Sequence, residues 1–204
     1  VTDEERAAIY KYGETTSSKN AIAEIWLKLY NEIANINNFL QYLESNGDVI
    51  VTEGYRDLMK GEALGLRAFH YFDLLRLFAP YDFSSEAKPA IPYVKEARPA
   101  IAPQLTPAKF VEYALEDVNA AIALLKEDPI LTGKDITGMD NGYLANRNFH
   151  LNYYAAVGLK ARICLYAGNT KDAYDAANEV ILAQQNSDLF PWVKTEDITT
   201  TTIE

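Results

Sequence analysis

Residues 61–80, GEALGLRAFHYFDLLRLFAP, constrain the fold more than any other part of the chain. Apolar side chains dominate this stretch, and the polar ones recur at every third position, as Arg67, His70, Asp73 and Arg76. The pattern predicts one helix that is apolar on most of its surface, and such a helix must be surrounded by other helices. Pro80 predicts its end, because proline lacks the backbone donor that a helix interior needs. We therefore expect a central helix with Phe72 in the core.

The rest of the chain also favours helices. A short one is expected at residues 3–12, and a long amphipathic one at about residues 20–45, where an Asn-Gly pair follows and ends it. On the apolar side of the long helix, Asn37 predicts a buried amide that bonds backbone groups. Another helix is expected at residues 106–128, because Thr106 is a good N-cap and proline follows it at the first helical position.

The C-terminal part predicts a helical hairpin. Asn148 or Asn152 is expected to open its first helix, and Thr170 is expected to cap its second. Ala161 and Ala173 lie twelve positions apart, as small residues do where the two helices of a tetratricopeptide repeat cross closely. No segment alternates apolar and polar residues over several positions, so no strand is expected.

The predicted fold class is therefore all-α: a tetratricopeptide-like, right-handed array of stacked αα-hairpins joined by long loops. The length of 204 residues suits a single helical domain spanning residues 1–204. A net charge of −10 argues against binding to nucleic acid, which needs clustered lysine and arginine. Cys164 is the only cysteine; it lies in an apolar helical run and predicts a buried, inert thiol.

The sequence matches no common catalytic template. It lacks a glycine-rich phosphate loop, a nucleophile elbow and a paired-histidine metal helix, so no enzyme activity, cofactor or metal is predicted. His70 and Asp73 are two candidate metal ligands, but we favour their pairing with Arg67 and Arg76 in a buried polar stripe. The acidic and amide residues at positions 135, 140 and 141 do not have calcium-loop spacing, and turn formation explains them better.

Aromatic residues in or beside loops are the feature most suggestive of ligand binding. They are Tyr81, Phe83, Tyr93, Tyr143, Phe149, Phe190 and Trp192. Such rings can stack on the apolar faces of sugars, although packing of a loop onto a helix is the commoner role for any single one. Tyr81, Tyr143 and Trp192 combine a flat face with a polar tip, and we expect these three to line one ligand-binding rim.

Several motifs together resemble one known family. The stretch at residues 62–80, with its Leu-Arg-Ala triplet and aromatic turn, is the most specific of them. The others are Tyr30, Ile33, Asn37 and Leu40 on the long helix, the Ile-Pro segment at residues 91–92, the pair Asp117-Val118, and the hairpin at residues 153–181. This set resembles the SusD/RagB-like nutrient-binding outer-membrane lipoproteins of the Bacteroidetes.

The resemblance implies a specific function. Proteins of this family are lipid-anchored at the cell surface on the outer membrane, and they cap a SusC-like TonB-dependent transporter. They hold oligosaccharides or peptides for import without catalysing a reaction. The anchoring cysteine is not in this chain, so the resemblance implies that the chain is the N-terminal, helical part of a longer protein whose only membrane link is that anchor.

One alternative remains at this point. A helical-repeat scaffold that binds a partner peptide in a concave groove, with no membrane link, would share the helix pattern and the acidic charge. It gives no reason for the long proline-rich segment at residues 81–105, or for Arg67 and Asp73 within so apolar a helix.

Overall fold

The computed structural model describes Arg6 and residues 16–97, 101–132, 143–144, 146–187, 189–190 and 193–200. The α-helices of these residues are α1 (Thr16–Asn46), α2 (Tyr55–Phe78), α3 (Pro107–Leu124), α4 (Tyr153–Tyr166), α5 (Thr170–Ser187) and α6 (Thr195–Thr200). Short 3₁₀ turns lie at Gly47–Val49, Leu125–Glu127, Pro129–Thr132 and Arg147–Phe149. Two strands of two residues each, β1 (Ile91–Pro92) and β2 (Gln104–Leu105), pair antiparallel with Ile91 opposite Leu105.

The helix ends follow local chemistry. Helix α2 ends two residues before Pro80, as predicted. Helix α3 begins at Pro107, where the Thr106 carbonyl accepts the first helical hydrogen bond, from the Phe110 amide, at 2.9 Å. Asn152 is the N-cap of α4, and its side chain accepts a bond from the Ala155 amide at 2.9 Å. Both predicted starts are confirmed.

The cap of α5 differs from the prediction. Thr170 is already the first residue of the helix, and Asn169 takes the cap position instead. The Asn169 side chain accepts a bond from the Asp172 amide at 3.3 Å. Gly168 precedes it with φ +79°, a left-handed conformation that glycine adopts without steric cost. The tight turn between α4 and α5 therefore rests on a glycine and an asparagine, and not on the threonine.

The chain divides into two compact units, each described by itself. The first unit is Val1–Arg56 with Leu66–Asp117, and the second is Asp57–Gly65 with Val118–Glu204. Helices α2 and α3 contribute residues to both units. The grouping of residues 1–204 into one domain of a longer protein stays a prediction.

The core of the first unit is built on α2. Ala68, Tyr71 and Leu74 are completely buried there, and Phe72 is 2% exposed, as predicted. The Tyr71 ring stacks on Tyr93 at 3.8 Å between centroids. Other buried members of this core are Ile33, Leu75, Ile91, Phe110 and Ala114. Leu77 is 60% exposed, so one side of α2 near its end remains open in this unit.

The second unit contains the predicted hairpin of α4 and α5. Val157 and Ala161 of α4 pack with Ala176 of α5 in one apolar cluster, and Ala173 is also buried. Close approach matters in this unit at Gly61 too, because a Cβ atom there would lie 2.8 Å from the Leu125 side chain. The small residues therefore set the distance between neighbouring elements, as in tetratricopeptide repeats.

The predicted fold class is confirmed, since the described residues form an all-α, tetratricopeptide-like structure whose strands are limited to the pair at β1 and β2. Cys164 is 1% exposed, as predicted, and burial raises the pKa of its thiol. None of the helices in the described part combines the length and apolar character that spanning a bilayer requires.

Candidate functional site

A buried ion pair lies at the centre of the first unit. The Arg67 guanidinium donates two hydrogen bonds to the Asp117 carboxylate, each 2.7 Å long, and each side chain is 6% exposed. Tyr93 donates a third bond to the same carboxylate at 2.7 Å, and Arg67 also donates to the Asn37 side-chain oxygen at 2.8 Å. Burial lowers the pKa of Arg67, but the bonds to Asp117 outweigh it and raise the pKa overall. Arg67 therefore remains charged.

This pairing corrects the predicted polar stripe. Arg67 binds Asp117, an acidic residue 50 positions away, and not a neighbour on its own helix. His70 faces Glu32 at 3.3 Å. Asp73 pairs with Arg76 as predicted, but on a partly exposed surface and not a buried one. The stripe therefore faces three different environments. The described part of the chain contains no cluster of three His, Cys, Asp or Glu side chains that could hold a metal ion.

The same centre fixes the irregular segment after α2. The Asn37 amide donates to the Val94 carbonyl at 3.0 Å, which confirms the predicted backbone contact of this buried amide. The Tyr71 hydroxyl donates to that carbonyl at 2.9 Å and accepts from the Val94 amide at 2.6 Å. Tyr30 donates to the Pro92 carbonyl at 2.9 Å. Burial raises the pKa of both phenols. Residues 92–94 are thus held by side chains of α1 and α2.

One loop aromatic is therefore not available to a ligand. Tyr93 is 6% exposed, with its ring stacked on Tyr71 and its hydroxyl bonded to Asp117. Burial raises the pKa of this phenol well above its usual value. Tyr93 packs the loop onto the helices, which is the commoner role of such a residue.

Tyr81 has the opposite environment. Its side chain is 68% exposed, and its ring meets that of Phe83 edge to face at 5.3 Å. Between them, the Asp82 carboxylate accepts a bond from the Ser84 amide at 3.0 Å, and the bonds from Ser84 lower the pKa of that carboxyl. This Tyr81 turn (residues 81–84) places an aromatic ring and a carboxylate acceptor together at the surface. Sugar recognition uses this combination, since rings contact sugar C–H groups while acceptors bind hydroxyls.

Tyr143 lies in a buried polar network of the second unit. Its hydroxyl donates to Glu62 at 3.0 Å, and burial raises the pKa of the phenol. Arg147 donates to both oxygens of Asp128, at 3.0 and 2.6 Å, and also to Glu62. Burial lowers the pKa of Arg147, but its bonds to Asp128 and the charge of Glu62 outweigh this effect. The Tyr143 hydroxyl is thus engaged in holding its loop.

The three predicted rim residues have different outcomes. Tyr81 is exposed in the first unit, and Tyr143 is half-buried in the second. Trp192 lies outside the described residues, as do positions 135, 140 and 141. Their common rim stays a prediction. Sequence reasoning missed the network of Glu62, Asp128 and Arg147, because partners up to 85 positions apart leave no local pattern.

Comparison with known proteins identifies a family over most of the chain. Residues 4–134 match a family model described as SusD-like, starch-binding associating with outer membrane. This match confirms the resemblance that the sequence motifs indicated. Among curated protein sequences, none matches the chain.

Several solved structures that are similar to this chain are of SusD-like proteins. A SusD superfamily protein from Bacteroides thetaiotaomicron VPI-5482 is 28% identical, with a TM-score of 0.65 over 86% of this chain and 35% of its own. A SusD-like carbohydrate-binding protein from Bacteroides vulgatus ATCC 8482 is 22% identical, with a TM-score of 0.66 over 96% of this chain and 36% of its own. A laminarin-binding SusD-like protein is 21% identical, with a TM-score of 0.55 over 76% of this chain and 29% of its own. The chain spans about a third of the length of these proteins.

Proposed function

The chain belongs to the SusD-like family of outer-membrane-associated carbohydrate-binding proteins, and on this basis we propose that it is part of a protein that binds glycans at the bacterial surface. The family match supports this proposal most strongly. It covers the stretch at residues 61–80 and the whole of the buried centre around Arg67 and Asp117.

Within the chain, we assign glycan contact to the Tyr81 turn. Tyr81 is the exposed loop aromatic that follows the central helix, and the Asp82 carboxylate beside it stays ionised at neutral pH. A ring of this kind covers the apolar face of one sugar, while the carboxylate accepts hydroxyl hydrogen bonds. Tyr143 and Trp192 remain proposed ligand-binding residues.

The finer parts of the proposal follow from the family. We propose that the chain is the N-terminal, helical part of a longer lipid-anchored protein, since it covers only about a third of the length of its solved relatives. Its partner would be a SusC-like TonB-dependent transporter, and its ligand an oligosaccharide. We also propose that binding leaves the glycan chemically unchanged, since the family match and solved relatives are described as starch- or sugar-binding proteins.

The chain offers a matched control for testing the Tyr81 turn. Tyr42 on α1 is also 68% exposed, but it lies on a helix and not in a loop. Calorimetry with a panel of neutral oligosaccharides should show that Tyr81→Ala lowers affinity by about tenfold, the loss expected from removing one aromatic contact of about 1.4 kcal/mol. Tyr42→Ala should bind as the unchanged protein does. Equal affinities for the two variants would assign Tyr81 to loop structure.

A further inference from the structure

An apolar groove runs along the hairpin of α4 and α5. It has a volume of about 550 Å³. Buried small residues, Ala161 and Ala173, line its deeper part. Large apolar side chains stand exposed along it: Leu165 is 64% exposed, Tyr174 69% and Ile181 53%.

The two sides of the hairpin contrast in chemistry. On the charged side, Lys171 pairs with Asp175 at 2.6 Å, and the Lys171 side chain is 82% exposed. Asp172, Asp175 and Glu179 line a separate polar depression together with Lys160. The groove side presents Tyr174 and Ile181, seven positions apart on the same face of α5. A hairpin at the end of a repeat array covers its outer side with polar residues, and the groove side of this hairpin does not.

We propose that this groove is the packing surface for a further amphipathic helix of the same polypeptide. Three observations favour that occupant. A channel between two helices with small residues at its base accepts the side-chain ridge of a third helix. Each repeat of an array buries its apolar side against the next one. In the solved relatives, about two thirds of each chain lies outside the part that matches this one, which is ample length for such a helix.

The inference rests on the proposal that the chain is part of a longer protein, and thiol labelling tests it. Cys164 is 1% exposed, so the unchanged protein gives the background. Ile181→Cys places a reactive thiol in the groove, and Lys171→Cys places one on the charged side of the same helix as a control. Each variant is made in the 204-residue chain and in the product of the complete reading frame, and both are treated with a maleimide.

We expect Ile181→Cys to react at least about tenfold more slowly in the longer product than in the 204-residue chain, because a packed side chain reacts only through local opening. Lys171→Cys should react equally in both. Equal reactivity of Ile181→Cys in the two polypeptides overturns the inference, as does a reading frame no longer than this chain. Protection that appears in the short chain as its concentration rises would assign the groove to a second copy and also overturn it.

Glycan binding is measured on the same longer product. If the longer product binds glycan but its Ile181→Cys thiol reacts as fast as in the short chain, only the inference about the groove is overturned. If the Ile181→Cys thiol is protected in the longer product but that product binds no glycan, only the proposed function is overturned.

Discussion

Arg67 and Asp117 carry opposite charges in a site that water hardly reaches. Removing two charges from water is costly, and only good geometry with additional hydrogen bonds offsets that cost. Here two parallel bonds join the pair, Tyr93 donates to the carboxylate, and Asn37 accepts from the guanidinium. Because these partners come from α1, α2, α3 and the segment after α2, the pair fixes their arrangement within the first unit.

Breaking that pair should therefore lower the free energy of unfolding strongly. Asp117→Asn leaves the buried Arg67 charge without its counter-ion, and we expect a loss of about 3–5 kcal/mol in the free energy of unfolding. Glu116→Gln is the matched control: it is the adjacent residue, and it pairs with Lys95 at 2.6 Å on a half-exposed surface. That change should cost less than about 1 kcal/mol. Urea denaturation measures the unfolding free energy of both variants. Similar losses would mean that Asp117 stabilises the fold no more than a surface carboxylate does.

Tyrosines with raised pKa values, two of them buried and one partly buried, predict a loss of stability at high pH. Burial raises the pKa of Tyr71 and Tyr93 above the ordinary value of 10.0, and burial with a bond to Glu179 raises the pKa of Tyr153 to about 12. Well below pH 10 these phenols are protonated in both states and add no pH dependence. Above pH 10 the unfolded chain releases protons that the folded chain retains, so the unfolding free energy falls as pH rises.

Tyr153→Phe tests this dependence at one residue. The variant lacks one titrating phenol, so its unfolding free energy should fall less steeply than that of the unchanged protein between pH 10 and pH 12. Denaturation at intervals across this range measures both slopes. Identical slopes would mean that Tyr153 titrates alike in the folded and unfolded chains.

Individual residues also mark the limit of sequence reasoning. The burial of Asn37, Phe72 and Cys164 was predictable, because an apolar helical face buries what lies on it. The partner of Arg67 was not predictable, because it lies 50 positions away and any of several carboxylates would satisfy the charge. The burial of Tyr93 was not predictable either, because its position in a loop gives no sign of its buried hydrogen bond to Asp117.

Among the elements, α2 determines the core of the first unit. Its pattern alone predicted both the helix and its end before Pro80, since proline and apolar spacing act locally. The segment at residues 81–105 was expected to be an irregular loop. It forms the short β1 and β2 pair, and side chains of α1 and α2 hold its backbone at Pro92 and Val94. Hydrogen bonds between residues so far apart produce no periodic pattern in the sequence, so they could not be predicted from it.

Two substitutions on α2 test its central place. Phe72→Ala removes a side chain that is 2% exposed, and we expect it to lower the unfolding free energy by about 3–5 kcal/mol. Leu77→Ala, five residues later on the same helix, removes one that is 60% exposed and should change stability by no more than about 0.5 kcal/mol. Denaturation curves with equal midpoints for the two variants would contradict a core built on α2.

At the scale of the whole molecule, the proposed function joins this helical chain to a membrane partner. A net charge of −10 and exposed loop aromatics suit a sugar-binding surface better than a nucleic-acid-binding one. The family match supports the proposed ligand class, a glycan, but the number and order of sugars cannot be derived from composition or helix spacing. They depend on the positions of a few loop side chains.

The proposed partner can be tested in native membranes. The product of the complete reading frame, isolated with mild detergent, should co-purify with a large β-barrel transporter. A preparation of the same membranes in which an unrelated outer-membrane lipoprotein is isolated in its place should not contain that barrel. Recovery with soluble cytosolic proteins alone would favour the helical-repeat scaffold that binds a partner peptide.

Glycan binding can be measured by affinity electrophoresis of the complete gene product. Native gels cast with starch, laminarin or another neutral polysaccharide are compared with a gel that contains none. We expect retarded migration in at least one polysaccharide gel and a weaker effect for Tyr81→Ala than for Tyr42→Ala. A gene product that is helical by circular dichroism, yet migrates identically in every gel, would contradict glycan binding.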